Sequence, residues 1–328
     1  MNIIYFGTDN NSKLVLEDLV NSENKVVLVI TTEDSVRTRG NKKTPSVVKD
    51  YCIKNNINCI DKIPDHKQLE TFNPDIIIVA SFGKIIPMEI LETPKYGALN
   101  LHPSLLPKYR GPSPVHTAIK NGEEDFGVSI IRLSEDIDAG PIVSQNIYPD
   151  SAIILDTEDL TKKLFTLGSK IILNILSNPE VIKNAKEQDH SLSTMTKKIR
   201  KKDGHINWNK STSEVHDHIR AFNDGNNSAY SLLDGKRIKI KKIFMANPIS
   251  PWIALRKSRY IKPGSICDAW GSLVVATKEW FVGVSKLQVE GKKVISGEEF
   301  INHRKNLLTK EKIHKEPYDS SNLGGTLS

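Results

Sequence analysis

The stretch Asn2-Ile3-Ile4-Tyr5-Phe6 is apolar at every position after the first and lacks the apolar–polar alternation of a strand that faces water. Such a run is typical of a strand buried on both faces of a parallel sheet. Two further runs of the same kind follow, Val26–Ile30 and Asp75–Ala80. Between them, Asn11–Asn21 and Pro45–Asn55 carry apolar residues at helical spacing, and Pro45 suits a helix start. The order βαβαβ implies an α/β architecture, a doubly wound, Rossmann-like parallel sheet. Gly97–Leu101 reads as the next strand, so the turn that begins at His102 lies at a strand's carboxyl end, where open α/β sheets bind ligands. Gly127–Arg132 and Ile142–Ile147 read as two more strands and Thr157–Leu176 as a long closing helix stopped near Asn178-Pro179. No second and third glycine follow Gly7 at the spacing of a dinucleotide fingerprint.

The turn after the fourth strand carries chemistry. It reads Asn100-Leu101-His102-Pro103-Ser104-Leu105-Leu106-Pro107-Lys108-Tyr109-Arg110-Gly111, and Asp138-Ala139-Gly140-Pro141 follows downstream. Residues two apart on a strand point to the same face, so Asn100 and His102 face together. An amide, an imidazole and a carboxylate that converge can carry acyl transfer without a metal or a covalent intermediate. A neighbouring carboxylate stabilises an imidazolium, so His102 and Asp138 suit one another. Glu135 and Asp136 are rival carboxylates in the same loop.

This run resembles the signature of the folate-dependent formyltransferases, which move a formyl group from 10-formyltetrahydrofolate to an amine. The resemblance implies that Asn100, His102 and Asp138 are the catalytic residues, because the family's aspartate stands immediately before Ala-Gly. It implies that Ser104, Leu105, Leu106 and Pro107 contact the folate, and that Ser81, Phe82 and Gly83 form another wall of the same pocket. No metal is expected. The start departs from the family pattern Phe-x-Gly-Thr-Pro-x-Phe, since Phe6-Gly7-Thr8 leads here into Asp9-Asn10-Asn11.

The 328 residues suggest two domains, and the charge separates them. Residues 1–196 hold 21 basic and 26 acidic side chains, whereas residues 197–328 hold 25 and 13, so the whole net charge of +7 comes from the second half. A basic half suggests a polyanionic partner. Residues 1–188 are expected to form the catalytic domain and 189–204 a linker ending in Lys201 and Lys202. Residues 205–310 are expected to form a small β-barrel of the oligonucleotide-binding type, and 311–328 a disordered tail. The barrel reading rests on five short strands: Ala229–Leu233, Lys236–Phe244, Gly264–Ala269, Ser272–Thr277 and Phe281–Gln288.

Within the acidic half, Arg37, Arg39, Lys42, Lys43 and Lys49 form a basic insertion with no acid before Asp50. This segment resembles the loop with which methionyl-tRNA formyltransferases grip initiator tRNA. Lys-Lys-Asp-Gly-x-Ile-x-Trp, Leu233-Asp234-Gly235-Lys236-Arg237 and Val289-Glu290-Gly291-Lys292-Lys293 resemble the second domain of the same branch, while Asp224-Gly225-Asn226-Asn227 replaces its usual Pro- and Trp-containing turn. The implied partners are initiator methionyl-tRNA and 10-formyltetrahydrofolate, with Arg37, Arg39, Lys42, Lys43, Lys201 and Lys202 on the tRNA. The alternative is a sugar-nucleotide N-formyltransferase, which keeps the trio but needs neither the basic insertion nor the basic domain.

Three cysteines without a Cys-x-x-Cys pair argue against a disulfide framework or a zinc site. His216 and His218, two apart on an expected helix, face different sides, which argues against a shared metal site. No basic leader with a cleavage site precedes the first strand, so a cytoplasmic protein is expected.

Overall fold

A computed structural model describes residues 1–36, 43–149, 154–225, 227–245, 261–269 and 271–303. Arg37, Arg39, Lys42 and the expected tail at 311–328 lie outside the described residues. The chain divides into two compact units. One comprises residues 1–115, 124–153 and 159–197, and the other 116–123, 154–158 and 198 onward. Residues 189–197, expected to begin the linker, therefore belong with the first unit.

The first unit is built on a seven-stranded sheet of order β5-β2-β1-β6-β7-β8-β9. Its strands are β1 (Asn2–Gly7), β2 (Lys25–Ile30), β5 (Cys59–Ile60), β6 (Ile76–Ala80), β7 (Ala98–His102), β8 (Gly127–Arg132) and β9 (Ile142–Ile147). A separate antiparallel pair joins β3 (Ser35–Val36) to β4 (Lys43–Thr44), which contains Lys43. The helices are α1 (Asn10–Val20), α2 (Val47–Lys54), α3 (His66–Glu70), α4 (Met88–Leu91) and α6 (Thr157–Ser177), and α5 (Pro114–Lys120) spans the boundary between the units in sequence.

The apolar runs explain the layers. Alternate residues of a strand point to opposite faces. Ile3, Tyr5, Ile76, Ile78 and Ala80 accordingly join the core that holds Leu16 and Leu19 of α1 and Ile172 and Ile175 of α6. Ile4, Phe6, Ile77 and Val79 join a second core with Leu69 of α3 and Ile90 and Leu91 of α4. Both faces are covered, so polar residues have no place along these strands. Asp9 caps α1 by accepting the Ser12 backbone N–H at 2.9 Å, and Ser46, not Pro45, caps α2 by accepting that of Lys49 at 3.0 Å. The atypical Asp9 thus satisfies a helix end, one of the groups that a helix leaves orphaned.

Five strands are parallel, but β8 and β9 are not: β8 runs antiparallel to β7, and β9 antiparallel to β8. Composition does not encode strand direction, because a run buried on both faces looks the same either way. The reversal has a consequence for the site. β8 ends beside the start of β7, where the Leu133 N–H bonds the Ala98 carbonyl at 2.9 Å. The β8–β9 loop therefore opens alongside β7, within reach of the face that carries Asn100 and His102.

The second unit holds an antiparallel sheet of order β10-β11-β14-β13-β12, with β15 on β14. The strands are β10 (Tyr230–Leu233), β11 (Lys236–Met245), β12 (Ile266–Ala269), β13 (Ser272–Ala276), β14 (Phe281–Val289) and β15 (Val294–Ser296). Two helices, α7 (Thr212–Ala221) and α8 (Gly297–His303), belong to the same unit. In β11, Ile238 and Ile240 are buried between exposed Lys236, Lys239 and half-buried Arg237, so the strand has one core face and one basic face. Ile238, Ile240, Ile266, Leu273, Val275, Val284, Leu287 and Phe300 enclose its interior. Trp208 is buried and its Nε1–H donates to Ser231 Oγ at 2.7 Å. Asp224 closes the unusual 224–227 turn by accepting the side-chain amide of Asn227 at 2.8 Å. Among the described residues no helix is long and apolar enough to cross a membrane.

Two histidines of this unit pack against Phe222, the buried His116 with ring centroids 4.4 Å apart and the half-buried His218 with 4.7 Å. Among the described residues, both nitrogens of His116 and Nε2 of His218 have no hydrogen-bond partner. Burial, with the Lys120 charge adding to it, lowers each imidazole to a pKa of about 4. The unfolded chain then takes up protons between pH 6.5 and 4 that the folded chain refuses, so stability falls as pH drops through that window. The expected slope is up to about 1.4 kcal/mol per pH unit for each histidine. Urea unfolding at pH 7 and pH 5 checks this: His116→Leu should lose less stability on acidification than the parent, and an identical loss in both would contradict it.

Candidate active site

His102 is the last residue of β7, and the chain leaves the sheet there in a turn that folds back on itself. The imidazole is buried, with its side chain 5% exposed. Its Nε2 lies 2.9 Å from the Tyr109 carbonyl. A carbonyl only accepts, so Nε2 carries a proton and donates it there. The other nitrogen, Nδ1, faces Asp138, 3.4 Å from Oδ2. Asn100, two residues earlier on the same face, directs Nδ2 at Asp138 Oδ1, also at 3.4 Å. Oδ2 receives the Gly111 backbone N–H at 2.8 Å. The three sequence-predicted groups thus meet at one carboxylate.

The loop geometry separates Asp138 from its rivals. Glu135 and Asp136 are exposed, whereas Asp138 is partly buried with its backbone at φ +52°. That left-handed conformation is uncommon outside glycine, asparagine and aspartate, and an aspartate here can adopt it. Gly140 holds the loop against β8: a Cβ there would lie 1.9 Å from the Arg132 carbonyl oxygen. Asp138 is therefore aimed at the imidazole by a loop with little room to move.

The turn itself is tied to the strands below it. Ser129 of β8 pairs across to His102, and Gln145 of β9 pairs across to Ser129. Ser129 Oγ donates to the Ser104 carbonyl at 2.7 Å and accepts the Leu106 N–H at 3.2 Å and Gln145 Nε2 at 2.8 Å. Gln145 Nε2 also reaches the Leu106 carbonyl at 2.8 Å. The Ser104 N–H bonds His102 O at 2.9 Å and its hydroxyl bonds Lys108 O at 2.8 Å. In this conformation the backbone amides of Ser104 and Leu106 are already bonded, the first to His102 and the second to Ser129 of β8. Leu105 is half-buried against Gly127, Leu106 is buried, and Pro107 follows it.

Ser81, Phe82 and Gly83 follow β6 directly. The register places Ala80 opposite Leu101, so the segment leaves the sheet next to His102. Ser81, at φ +53°, donates its hydroxyl to Asp9 Oδ2 at 2.6 Å, and the Phe82 ring packs edge-on against Phe6 at 5.2 Å. A Cβ at Gly83 would meet nothing within 4 Å. This hydroxyl–carboxylate link between the ends of β1 and β6 accounts for Asp9 a second time.

Sequence reasoning missed two residues here. Arg110 and Gln188 are buried at 7% and 5% exposure and bonded to one another beneath the Asp138 loop. The expected boundary at 188 falls on one of them. Lys201 and Lys202 begin a short 3-10 helix, Lys201–Gly204, in the second unit and are exposed. Among the described residues no group of three or more His, Cys, Asp or Glu side chains is arranged to hold a metal ion.

Comparison with known proteins matches residues 1–176 to a family described as formyl transferase and residues 198–305 to the formyl transferase C-terminal domain. The chain is 34% identical over 313 residues to the methionyl-tRNA formyltransferase of Thermodesulfovibrio yellowstonii, covering 92% of this chain and 96% of that one. It is 34% identical over 305 residues to the methionyl-tRNA formyltransferase of Staphylococcus epidermidis, covering 89% and 92%. Among solved structures, WlaRD, a sugar 3N-formyl transferase crystallised in the presence of dTDP and 5-N-formyl-tetrahydrofolate, superposes with a TM-score of 0.63 at 22% identity. That match covers 89% of this chain and 99% of WlaRD, and at this identity it speaks for the fold.

Proposed function

The chain belongs to the formyl transferase family, and on that premise we propose that it moves the formyl group of 10-formyltetrahydrofolate to the free amine of methionyl initiator tRNA. The observation that carries this reading is the likeness to methionyl-tRNA formyltransferases through both units, over 92% of the chain. The reading puts the enzyme in the cytoplasm, where translation begins.

Asn100, His102 and Asp138 do the chemistry in this proposal. The neutral amine attacks the formyl carbon, a C–N bond forms, and the formyl oxygen gains negative charge. The bond to N10 of the folate then breaks, the amine loses a proton and N10 gains one. Asn100 has a second Nδ2–H beyond the one aimed at Asp138, and that hydrogen orients the formyl oxygen. His102 works through Nδ1, since its Nε2 proton is committed to the Tyr109 carbonyl. Nδ1–H stabilises the oxyanion, and Asp138 sustains the imidazolium and accepts the amine proton, directly or through water. The Ser104–Pro107 turn and the Ser81–Gly83 segment are the folate walls. Lys201, Lys202 and the insertion of Arg37, Arg39, Lys42 and Lys43 meet tRNA phosphates. The first unit then acts as the catalytic domain and the second as the tRNA-binding domain.

Formyl transfer assayed with initiator methionyl-tRNA and, in parallel, an amino-sugar nucleotide tests the acceptor. Product on the tRNA alone is expected, and product on the sugar alone would discard the acceptor while keeping the chemistry. In the same assay His102→Ala and Asp138→Asn should each lower kcat by about 10²–10⁴-fold with tRNA affinity retained; an equal loss of binding would contradict the roles given. Replacing Arg37, Arg39, Lys42 and Lys43 by Ala should weaken tRNA binding. It should also flatten the slope of log K against log salt by about 0.7–0.9 for each phosphate that is no longer neutralised. An unchanged slope would remove the insertion from the interface.

A further inference from the structure

Gln188 uses its whole hydrogen-bonding capacity at one point under the site. Its Nε2 donates to two carbonyls, Asp138 at 2.8 Å and Gly140 at 2.7 Å. Its Oε1 accepts two N–H groups of Arg110, Nε at 3.1 Å and Nη2 at 2.7 Å. Arg110 Nη2 also lies 3.2 Å from His190 Nδ1. A side-chain amide offers two donors and two lone pairs, and here all four are taken in a buried place, where an unmet polar group is costly.

Arg110 is the middle of the tripeptide that touches both ionisable groups of the site. Tyr109 before it accepts from His102, and Gly111 after it donates to Asp138. The contacts close a ring: the Asp138 carboxylate to the Gly111 N–H, through Arg110 to its guanidinium, through Gln188, and back to the Asp138 carbonyl. Both ends of Asp138, side chain and backbone, are thus referred to the same three residues. The neighbouring stretch of chain reinforces this, because Arg110 N–H bonds Thr194 O at 2.9 Å and Thr196 N–H bonds Arg110 O at 2.7 Å.

We propose that Gln188, clamped by Arg110, is a positioning residue for formyl transfer: it holds the Asp138 loop in its left-handed conformation so that the carboxylate faces His102 Nδ1 and Asn100. This rests on the roles given to Asn100, His102 and Asp138 above. Gln188 touches no reacting atom, and its effect on rate passes through Asp138. Glutamate cannot replace it, since a carboxylate keeps the acceptor for Arg110 but turns the nitrogen that makes both donations into one oxygen facing two carbonyls.

The test uses the full chain with Gln188→Glu and Gln188→Met. A misplacement of about 1 Å costs on the order of 10²-fold in rate, so kcat should fall about 10–100-fold while KM for formyl-folate and for methionyl-tRNA stays near the parent value. In an Asp138→Asn background the same substitutions should cost no further rate, because the group they position is already gone. Hydrogen exchange of the Gly111 amide, read without any substrate, should accelerate in both variants. Unchanged kcat, equal rate losses in both backgrounds, or an unchanged Gly111 amide would each overturn the proposal. If Gln188→Met does not fold, Gln188→Glu, which keeps a partner for the buried guanidinium, carries the test. A parent enzyme that leaves methionyl-tRNA unformylated, with Gly111 exchange still dependent on Gln188, would sink the acceptor and leave the clamp standing.

Discussion

The backbone of Tyr109, Arg110 and Gly111 holds the imidazole of His102 on one side and the carboxylate of Asp138 on the other. Tyr109 sits at φ +62° and Gly111 at φ +98°, and Asp138 opposite them at φ +52°. Non-glycine residues held in that region store on the order of 1–3 kcal/mol each, so the surroundings must over-determine them. The hydrogen bonds to Ser129, Gln145, Gln188 and the 194–196 segment do so. Most of them come from parts of the chain far from the turn in sequence, and the site therefore exists only in the folded unit.

That constraint also sets what the histidine can do. Were Nε2 free, either nitrogen could face a substrate. With Nε2–H held by a carbonyl, the ring has one orientation and one working atom, Nδ1, which looks at Asp138. Orientation by a backbone acceptor on the far nitrogen is a general way to fix the role of an imidazole. In the proposed reaction this fixed orientation readies the groups before substrate arrives, which is the condition under which electrostatic stabilisation is most effective.

Much of this was legible in the chain. Strands buried on both faces, such as β1 and β6, write continuous apolar runs, and β8 and the more exposed β9 begin and end where the sequence places them, at Gly127–Arg132 and Ile142–Ile147. What a run cannot write is direction, so the reversal of β8 and β9 was not visible. Short elements such as β5, α3, α4 and β15 hold too few residues to show a period. Spacing puts Asn100 and His102 on one face, and the resemblance to the formyltransferases gives them their roles and prefers Asp138 to Glu135 and Asp136. In the folded chain those two are exposed while Asp138 is partly buried. Gln188 left no signal at all: a single glutamine before a polar stretch looks like the end of a domain, and its partners lie 48 to 78 residues away.

The most direct test of the account is the protonation of the His102 ring, read by nitrogen NMR on the folded protein. The geometry requires a proton on Nε2, hydrogen-bonded to the Tyr109 carbonyl. A neutral ring protonated on Nδ1 alone, with Nε2 bare, would contradict it and release the histidine from the turn on which the rest of the site depends.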